Sequence, residues 1–275
     1  SHLLGKDTWE TDDAVKAELK SKEGSMSVFG IGPAGENLVK FASVAGDKGH
    51  VAGHNGTGAV MGSKKLKVIA VDRGRQRLSL HDRRQLLEIS RSFLERTKSR
   101  GGALDTFNWG TLQGVVNAER GGYLPIKNYQ TNVFDISPEE LDKFSAEYIR
   151  GNFDPTPNPC WACQLHHCHM MKITEGPYEG EVVEEPEYEG FSAWGSATGQ
   201  TQVASAMVIS NEVDKLGLET NEAGWLMGLV MECYEKGIIN REDTDLLEMT
   251  WGNAEATMEM LRKIAHREGF GDTLA

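Results

Sequence analysis

Residues 151 to 171 read GNFDPTPNPCWACQLHHCHMM, and this stretch restricts the fold more than any other. Pro155, Pro157 and Pro159 remove three backbone donors and fix φ, so regular structure is expected to break just before the cysteines. Cys160, Cys163 and Cys168 then follow in the pattern C-x2-C-x4-C. His166, His167 and His169 lie among them, so three of the four cysteines and three of the eight histidines sit close together. A loop is expected here, and close thiolates on one loop can present their sulfurs to one centre, as both zinc sites and iron–sulfur clusters require. Spacing alone does not separate the two metals. The fourth ligand is either one of His166, His167 and His169, giving a Cys3His zinc site, or a distant cysteine, giving a 4Fe-4S cluster. Cys233 is a poor fourth ligand, because it falls on the apolar stripe of an expected helix, where a free cysteine acts as a small hydrophobe.

Charge narrows the partners. Twenty-nine Lys and Arg against 41 Asp and Glu give a formal charge of −12, which repels a phosphate backbone, and no basic run offsets it. A nucleic-acid partner is therefore not expected. No window approaches the length of apolar sequence that a membrane span needs, and the N-terminus SHLLGKDTWE lacks the order of a secretion signal. Clustered rather than dispersed cysteines point to a reducing cytoplasm.

The period of the apolar pattern changes along the chain. In residues 1–75, Thr11 is expected to cap a short helix with Asp12 and Asp13 in its first turn and Val15 and Leu19 facing inward. A strand is expected at 26 to 32. Glycines at 53, 56, 58 and 62 then precede the alternating Leu66, Val68 and Ala70, which reads as loop followed by strand. Residues 82–97 read as a helix with Leu86, Leu87, Phe93 and Leu94 on one face. SPEE at 137–140 is a capping box opening a helix over 138–149. Beyond residue 200 the period is 3.6. Val203, Ala206, Met207 and Val213 form a stripe ended at Gly217. Trp225, Leu226, Leu229, Val230 and Cys233 form a second, behind the cap Asn221 and ended at Gly237. Met258, Leu261, Ile264 and Ala265 form a third, ended at Gly269. The fold class that follows is α+β, with a β-rich first part and a mostly helical second.

IGPAGENLVKFASV at 31–44 and GTGAVMGSKKLKVIAV at 56–71 resemble signature segments of the aldehyde:ferredoxin oxidoreductase family of tungsten or molybdenum bis-pterin enzymes. The similarity continues through the cysteine loop, EEPEYEGFSAWGS at 184–196, NEVDKLGLETNEAGW at 211–225, MECYEKGII at 231–239 and IAHREGFGDTLA at 264–275. It implies that residues 1–75 are the C-terminal part of a pterin-binding N-terminal domain, and 76–275 a mainly helical middle domain carrying the cysteine loop. It also implies that the sequence is a central fragment, because family members begin earlier and continue into a further helical domain.

Carried over by position, the resemblance implies that His54, Asn55, Gly56, Thr57, Gly58 and Ala59 form the pterin-contacting turn. Bare backbone approaches a ligand closely, and successive N–H groups make a nest for a phosphate. In DKLGLE, Asp214 would accept from the pterin N–H edge, with Gly217 and Leu218 contributing backbone, and Glu219 stands where the family has Asp or Cys. Cys160, Cys163 and Cys168 would be cluster ligands, the fourth cysteine lying beyond this sequence. Glu189 matches the family's active-site glutamate best, with Glu187 the alternative; read by composition alone, residues 181–189 are a solvated acidic face. The implied cofactors are a tungstopterin (bis-molybdopterin holding W or Mo) and a 4Fe-4S cluster. The implied activity is aldehyde oxidation, or the reverse-running chemistry of a benzoyl-CoA reductase tungsten subunit on a thioester. The implied partners are ferredoxin or an iron–sulfur electron-transfer subunit, in an oligomeric assembly. Two rivals from other classes are a zinc-stabilised structural domain and a pterin-free electron-transfer module.

Overall fold

The computed structural model describes residues 2–21, 24–74, 78–99 and 101–275; the domain boundary expected at 75/76 lies outside them. Strand β1 (Met26–Gly30) forms where expected, with Val28 and Gly30 turned inward. It is central in an antiparallel sheet of order β3-β2-β1-β4, with β2 (Val44–Gly46), β3 (His50–Ala52) and β4 (Val68–Asp72). The first helix is Thr8–Glu18, four residues longer at its start than expected. Asp7, not Thr11, is its cap, because Asp7 and Glu10 make a reciprocal capping box. Thr11 and Asp12 are buried within the helix, Asp12 paired with Lys16 at 2.8 Å, while Leu19 has passed the helix end and is exposed. The stretch expected as loop before β4 contains a helix, Thr57–Ser63. Gly58 and Gly62 lie on one face of it and meet the backbone of Ser43 and Gly35, an approach that only side-chain-free positions permit.

A second sheet has the order β5-β6-β7: β5 (Asp154–Pro157), β6 (His169–Lys172) and β7 (Val182–Glu184), all antiparallel. Here the proline reading is corrected. Pro155 and Pro157 sit on an edge strand, where a missing N–H costs nothing on the open side. The cysteines occupy the loop joining β5 to β6, as expected, and Asn158 N–H donates to Cys168 O at 2.9 Å to close its base.

The helical half departs from its expected boundaries for identifiable reasons. The capping box at Ser137 forms, but the single helix expected over 138–149 is two, Pro138–Asp142 and Ala146–Asn152. Ser145 caps the second by accepting from Tyr148 N–H, and Phe144 between them turns fully into the core. Helix Arg83–Lys98 forms with its apolar residues in place, yet Leu86, Leu87 and Phe93 are exposed. Helix Thr220–Glu235, capped by Glu219 rather than Asn221, buries Val230 and partly Leu226 of the expected stripe, but its buried face is turned from the one expected. Trp225 and Leu229 are exposed, while Ala223, Gly224, Met227, Gly228 and Met231 are buried. The cause is steric: an added Cβ on Gly224 would stand 2.5 Å from Ala193 Cβ, so the small-residue face is the one that can approach the 188–197 segment. That segment continues helix Tyr188–Phe191 into a π-helical turn, Ser192–Ala197. Its Trp194 is fully buried and donates from Nε1 to Thr220 Oγ1 at 2.9 Å. Helix Val203–Leu216 runs beneath it, and helix Ala254–His266 buries Leu261, Ile264 and Ala265 as expected.

The first sheet and the helical half meet backbone to backbone. Gly217 ends helix Val203–Leu216 with φ 74°, and an added Cβ there would stand 2.7 Å from Gly32 N. A Cβ on Gly32 would overlap Leu216 O. Ser43 N–H donates to Gly217 O at 2.8 Å, Ser43 Oγ to Leu218 O at 3.1 Å, and Glu219 N–H to Phe41 O at 3.0 Å. Replacing Gly32 by Ala, where φ is already ordinary, tests contact alone. Replacing Gly217 by Ala adds the left-handed penalty of about 1–2 kcal/mol. Both variants are expected to lower stability by about 2 kcal/mol or more, Gly217→Ala the more severely, measured by urea denaturation. A loss under about 0.5 kcal/mol for Gly32→Ala, the scale of an ordinary surface change, would contradict the close-packed seam.

Candidate metal and cofactor site

The glycine loop and the DKLGLE segment form two sides of one site. His54, Asn55 and Gly56 take consecutive left-handed conformations, φ 62°, 59° and 63°. Thr57, Gly58 and Ala59 then begin helix Thr57–Ser63, with Gly58 N–H donating to Ala42 O at 2.9 Å. Left-handed backbone at a histidine is uncommon and costs energy, which marks the turn as over-determined by its surroundings. Opposite it, Leu218 is fully buried and bridges Ala42, and Glu219, 6% exposed, stands with Oε1 3.7 Å from His54 Nδ1. Asp214, in the last turn of its helix, is also buried, contrary to its compositional reading as a solvated charge.

The acidic run 181–189 is a solvated face only at its ends, where Glu181 and Glu189 are exposed. Val183, Glu184 and Glu185 are buried. Glu184 packs against the β2–β3 turn, where Gly49 has φ 121° and any Cβ would overlap the Glu184 side chain. Its backbone N–H donates to Asn211 Oδ1 at 3.1 Å. Glu185 forms a bidentate pair with Arg150, at 2.8 and 2.9 Å, and lies 3.2 Å from His169 Nδ1. Arg150 also donates to His167 O at 2.8 Å, so one buried ion pair fixes the second half of the cysteine loop.

The loop brings some of the expected ligands together. Cys160 Sγ, Cys168 Sγ and a ring nitrogen of His50 all lie within 4.8 Å of one another, and so do ligand atoms of His167, Cys168 and Glu187. Cys163 is exposed and belongs to neither group. Burial, then the Glu184 charge, pushes the Cys168 thiol well up from its usual range. A cation bound there would reverse that, since metal binding favours the thiolate. Glu187 is half-buried, accepts from Thr111 Oγ1 and stands 3.7 Å from His167 Nε2, whereas Glu189, two residues on, is exposed. His50, Arg150, Glu184 and Glu185 are site residues that sequence reasoning missed. For the two glutamates a signal existed, since Val182 and Val183 mark a strand running into them; for His50 there was none.

The residues fit the groups that the resemblance implies. A pterin edge is rich in N–H donors, and here two buried carboxylates, Asp214 and Glu184, have no Lys or Arg ion-paired with them among the described residues. Burial, then Glu219, raises the Asp214 carboxyl to about 8, and burial, then Asp214, raises Glu184 well above the usual range. The folded state thus retains a proton that the unfolded state, near 3.8 for Asp214, has lost. Stability contributed this way is complete below about pH 4 and falls as pH rises towards about 8. The cofactor-free protein is therefore expected to unfold at lower urea concentration at pH 8 than at pH 6, and Asp214→Asn to flatten that difference. An unchanged pH dependence in Asp214→Asn would exclude the buried proton.

Two family models match the chain: the aldehyde ferredoxin oxidoreductase N-terminal domain over residues 1–73, and domains 2 and 3 of the same family over 88–275. The tungsten-containing aldehyde ferredoxin oxidoreductases of Pyrococcus furiosus and Thermococcus kodakarensis are each 36% identical over 280 aligned residues, covering 100% of this chain and 44% of the relative. The chain thus spans less than half the length of these relatives. A WOR-like subunit of an aliphatic sulfonate oxidoreductase from Pyrococcus furiosus is 30% identical over 94% of the chain and 40% of its own length. Among solved structures, a chain of the active-site complex of benzoyl coenzyme A reductase with 1,5-dienoyl-CoA shares the fold, with a TM-score of 0.79 at 23% identity, covering 100% of this chain and 41% of that one. Among the described residues no helix is long and apolar enough to cross a membrane. On the family models and the alignment of the whole of this chain with tungsten enzymes, it belongs to the aldehyde ferredoxin oxidoreductase family.

Proposed function

We propose that the intact protein oxidises an aldehyde to the carboxylic acid at a tungsten (or molybdenum) bis-pterin centre. Electrons leave through a 4Fe-4S cluster at Cys160, Cys163 and Cys168 to ferredoxin or an iron–sulfur electron-transfer subunit. The observation that carries this reading is the meeting of the two sides: the β2–β3 turn packs on Glu184 at Gly49 and brings a ring nitrogen of His50 within 4.8 Å of Cys160 Sγ and Cys168 Sγ, while the glycine loop beyond β3 faces Glu219 of the DKLGLE segment. Identity of 36% to the aldehyde enzymes across the whole chain favours aldehyde over thioester chemistry. When bound, the pterin-held metal accepts two electrons from substrate and the cluster passes them on singly.

The chain's own residues bind and handle protons. Asp214 accepts hydrogen bonds from pterin N–H donors, Gly217 and Leu218 offer backbone, and the turn of residues 54–59, its Gly58 N–H already given to Ala42 O, lies along the phosphate side. Converting an aldehyde and water into an acid releases two protons with the two electrons, so a carboxylate within reach of the reacting carbon has a role. Glu187 and Glu189 are the candidates. The geometry favours Glu187, which stands against His167 and Thr111, over the exposed Glu189.

Metal and pterin analysis of the intact native protein tests the reading: iron, tungsten or molybdenum, and pterin are all expected. Zinc without iron would support the structural-domain alternative, and iron without pterin the electron-transfer module. Within the oxidoreductase, Glu187→Gln is expected to lower turnover roughly a hundredfold at unchanged metal content, the scale of lost general acid–base help, and Glu189→Gln to cost less. The reverse order would assign the proton to Glu189, and full activity in both would exclude the pair.

A further inference from the structure

Among the histidines of the cysteine loop, His167 is the one whose ring meets a thiol. His166 Nδ1 is 3.0 Å from Cys163 O, and His169 Nδ1 is 3.2 Å from Glu185 Oε2, so both are engaged elsewhere. His50 lies near Cys160 and Cys168, but its Nε2 makes no hydrogen bond among the described residues. His167 Nδ1 stands 3.7 Å from Cys168 Sγ, within hydrogen-bonding distance of a sulfur, and its Nε2 stands 3.7 Å from Glu187 Oε1. Turning the ring over would take both nitrogens away from these acceptors, which fixes its orientation.

The ring is seated by the backbone around it. Gly110 has φ 61°, and an added Cβ there would stand 2.5 Å from His167 Nδ1, so the imidazole lies against a bare Cα. Arg150 donates to the His167 carbonyl at 2.8 Å while its fork grips Glu185. Thr111, next to Gly110, donates from Oγ1 to Glu187 and accepts from Tyr188 N–H at 2.8 Å. One turn thus seats both the ring and its carboxylate neighbour. The His167 side chain is only 17% exposed, which leaves little room for water to replace a lost donor.

We propose that His167 donates a hydrogen bond from Nδ1 to Cys168 Sγ and thereby raises the reduction potential of the centre held by the cysteine loop. The proposal rests on the reading of that centre as a 4Fe-4S cluster, and it leaves the ligands as cysteines. A metal-bound thiolate carries no proton, so the hydrogen between the two atoms belongs to the imidazole. Reduction adds negative charge that spreads onto the ligand sulfurs, so a donor there stabilises the reduced state more than the oxidised one. Hydrogen bonds to the sulfurs are among the factors that set a cluster's potential. His167 acts through Cys168 and is a positioning residue for electron transfer.

The test is an EPR-monitored redox titration of the intact subunit, purified without oxygen, in the wild type and three variants. His167→Leu removes both nitrogens, His167→Asn restores a donor at the place of Nδ1, and His167→Gln sends its amide towards Glu187 instead. At a fixed potential, the ratio of reduced to oxidised cluster is expected to fall about tenfold in His167→Leu and His167→Gln, a shift of about 59 mV for one electron. His167→Asn is expected to keep the wild-type ratio, and iron content to be unchanged in all three. An unchanged potential in His167→Leu at full iron content would overturn the proposal. So would an equal fall in His167→Asn, because packing and not a donor would then set the potential. Should His167→Leu lose its cluster, the contrast between His167→Asn and His167→Gln decides in the same way. Zinc without iron in the wild-type protein would instead end the cluster reading, and this proposal with it.

Discussion

The seam between Gly32 and Gly217 is the constraint on which the rest depends. Backbone lies on backbone there, so the 31–43 segment and the 214–219 turn exchange main-chain hydrogen bonds as though they were neighbouring strands. Gly217 has the left-handed conformation that ends its helix, and the same bare Cα gives Gly32 room. One residue thus stops a helix, turns the chain back and docks a sheet. With that docking fixed, the glycine loop faces Glu219, and the β2–β3 turn meets Glu184. The site follows from the seam, since its two sides come from chain segments that share no local structure.

Electrostatics then explains why such a site needs an occupant. Asp214 and Glu184 are both buried in a chain that is already strongly acidic; the Asp214 charge makes Glu184 harder to ionise, and Glu219 does the same to Asp214. Leaving water without a cationic partner is costly for a carboxylate, so it keeps its proton instead. Glu185, one residue on from Glu184, is the contrast: equally buried, it is held by the Arg150 fork and serves to position the cysteine loop. Adjacent glutamates therefore do different work, one satisfied within the protein and one left to meet something that donates hydrogen bonds.

How legible this was in the sequence varies by the kind of signal. Elements with local instructions were readable: β1, the Ser137 capping box, and the helix ended by Gly217. Errors arose where packing overrode a pattern. The stripe with Trp225 and Leu229 is more apolar than the face actually buried, but Gly224 and Gly228 allow a closer approach, and proximity decided. Pro155 and Pro157 read as breakers because sequence does not show whether a strand is at an edge. The three cysteines were plain as a motif. His50 was not, because its relation to them is set wholly by tertiary contact across more than a hundred residues.

The two sheets give that contact its consequence. Strand β3 is the edge of one, and the cysteine loop caps the other; they are joined here by the Asn158 amide, by Glu184 packed on Gly49 and by the nearness of His50 to two thiols. The first two hold the pieces near each other without satisfying His50 Nε2 or discharging the cost of a buried Cys168 thiol. A metal at the thiols would stabilise the thiolate and strengthen a junction otherwise held by weak contacts. The turn that packs against Glu184 thus also brings His50 to the thiols, so the cysteine loop and the buried acids meet at one place.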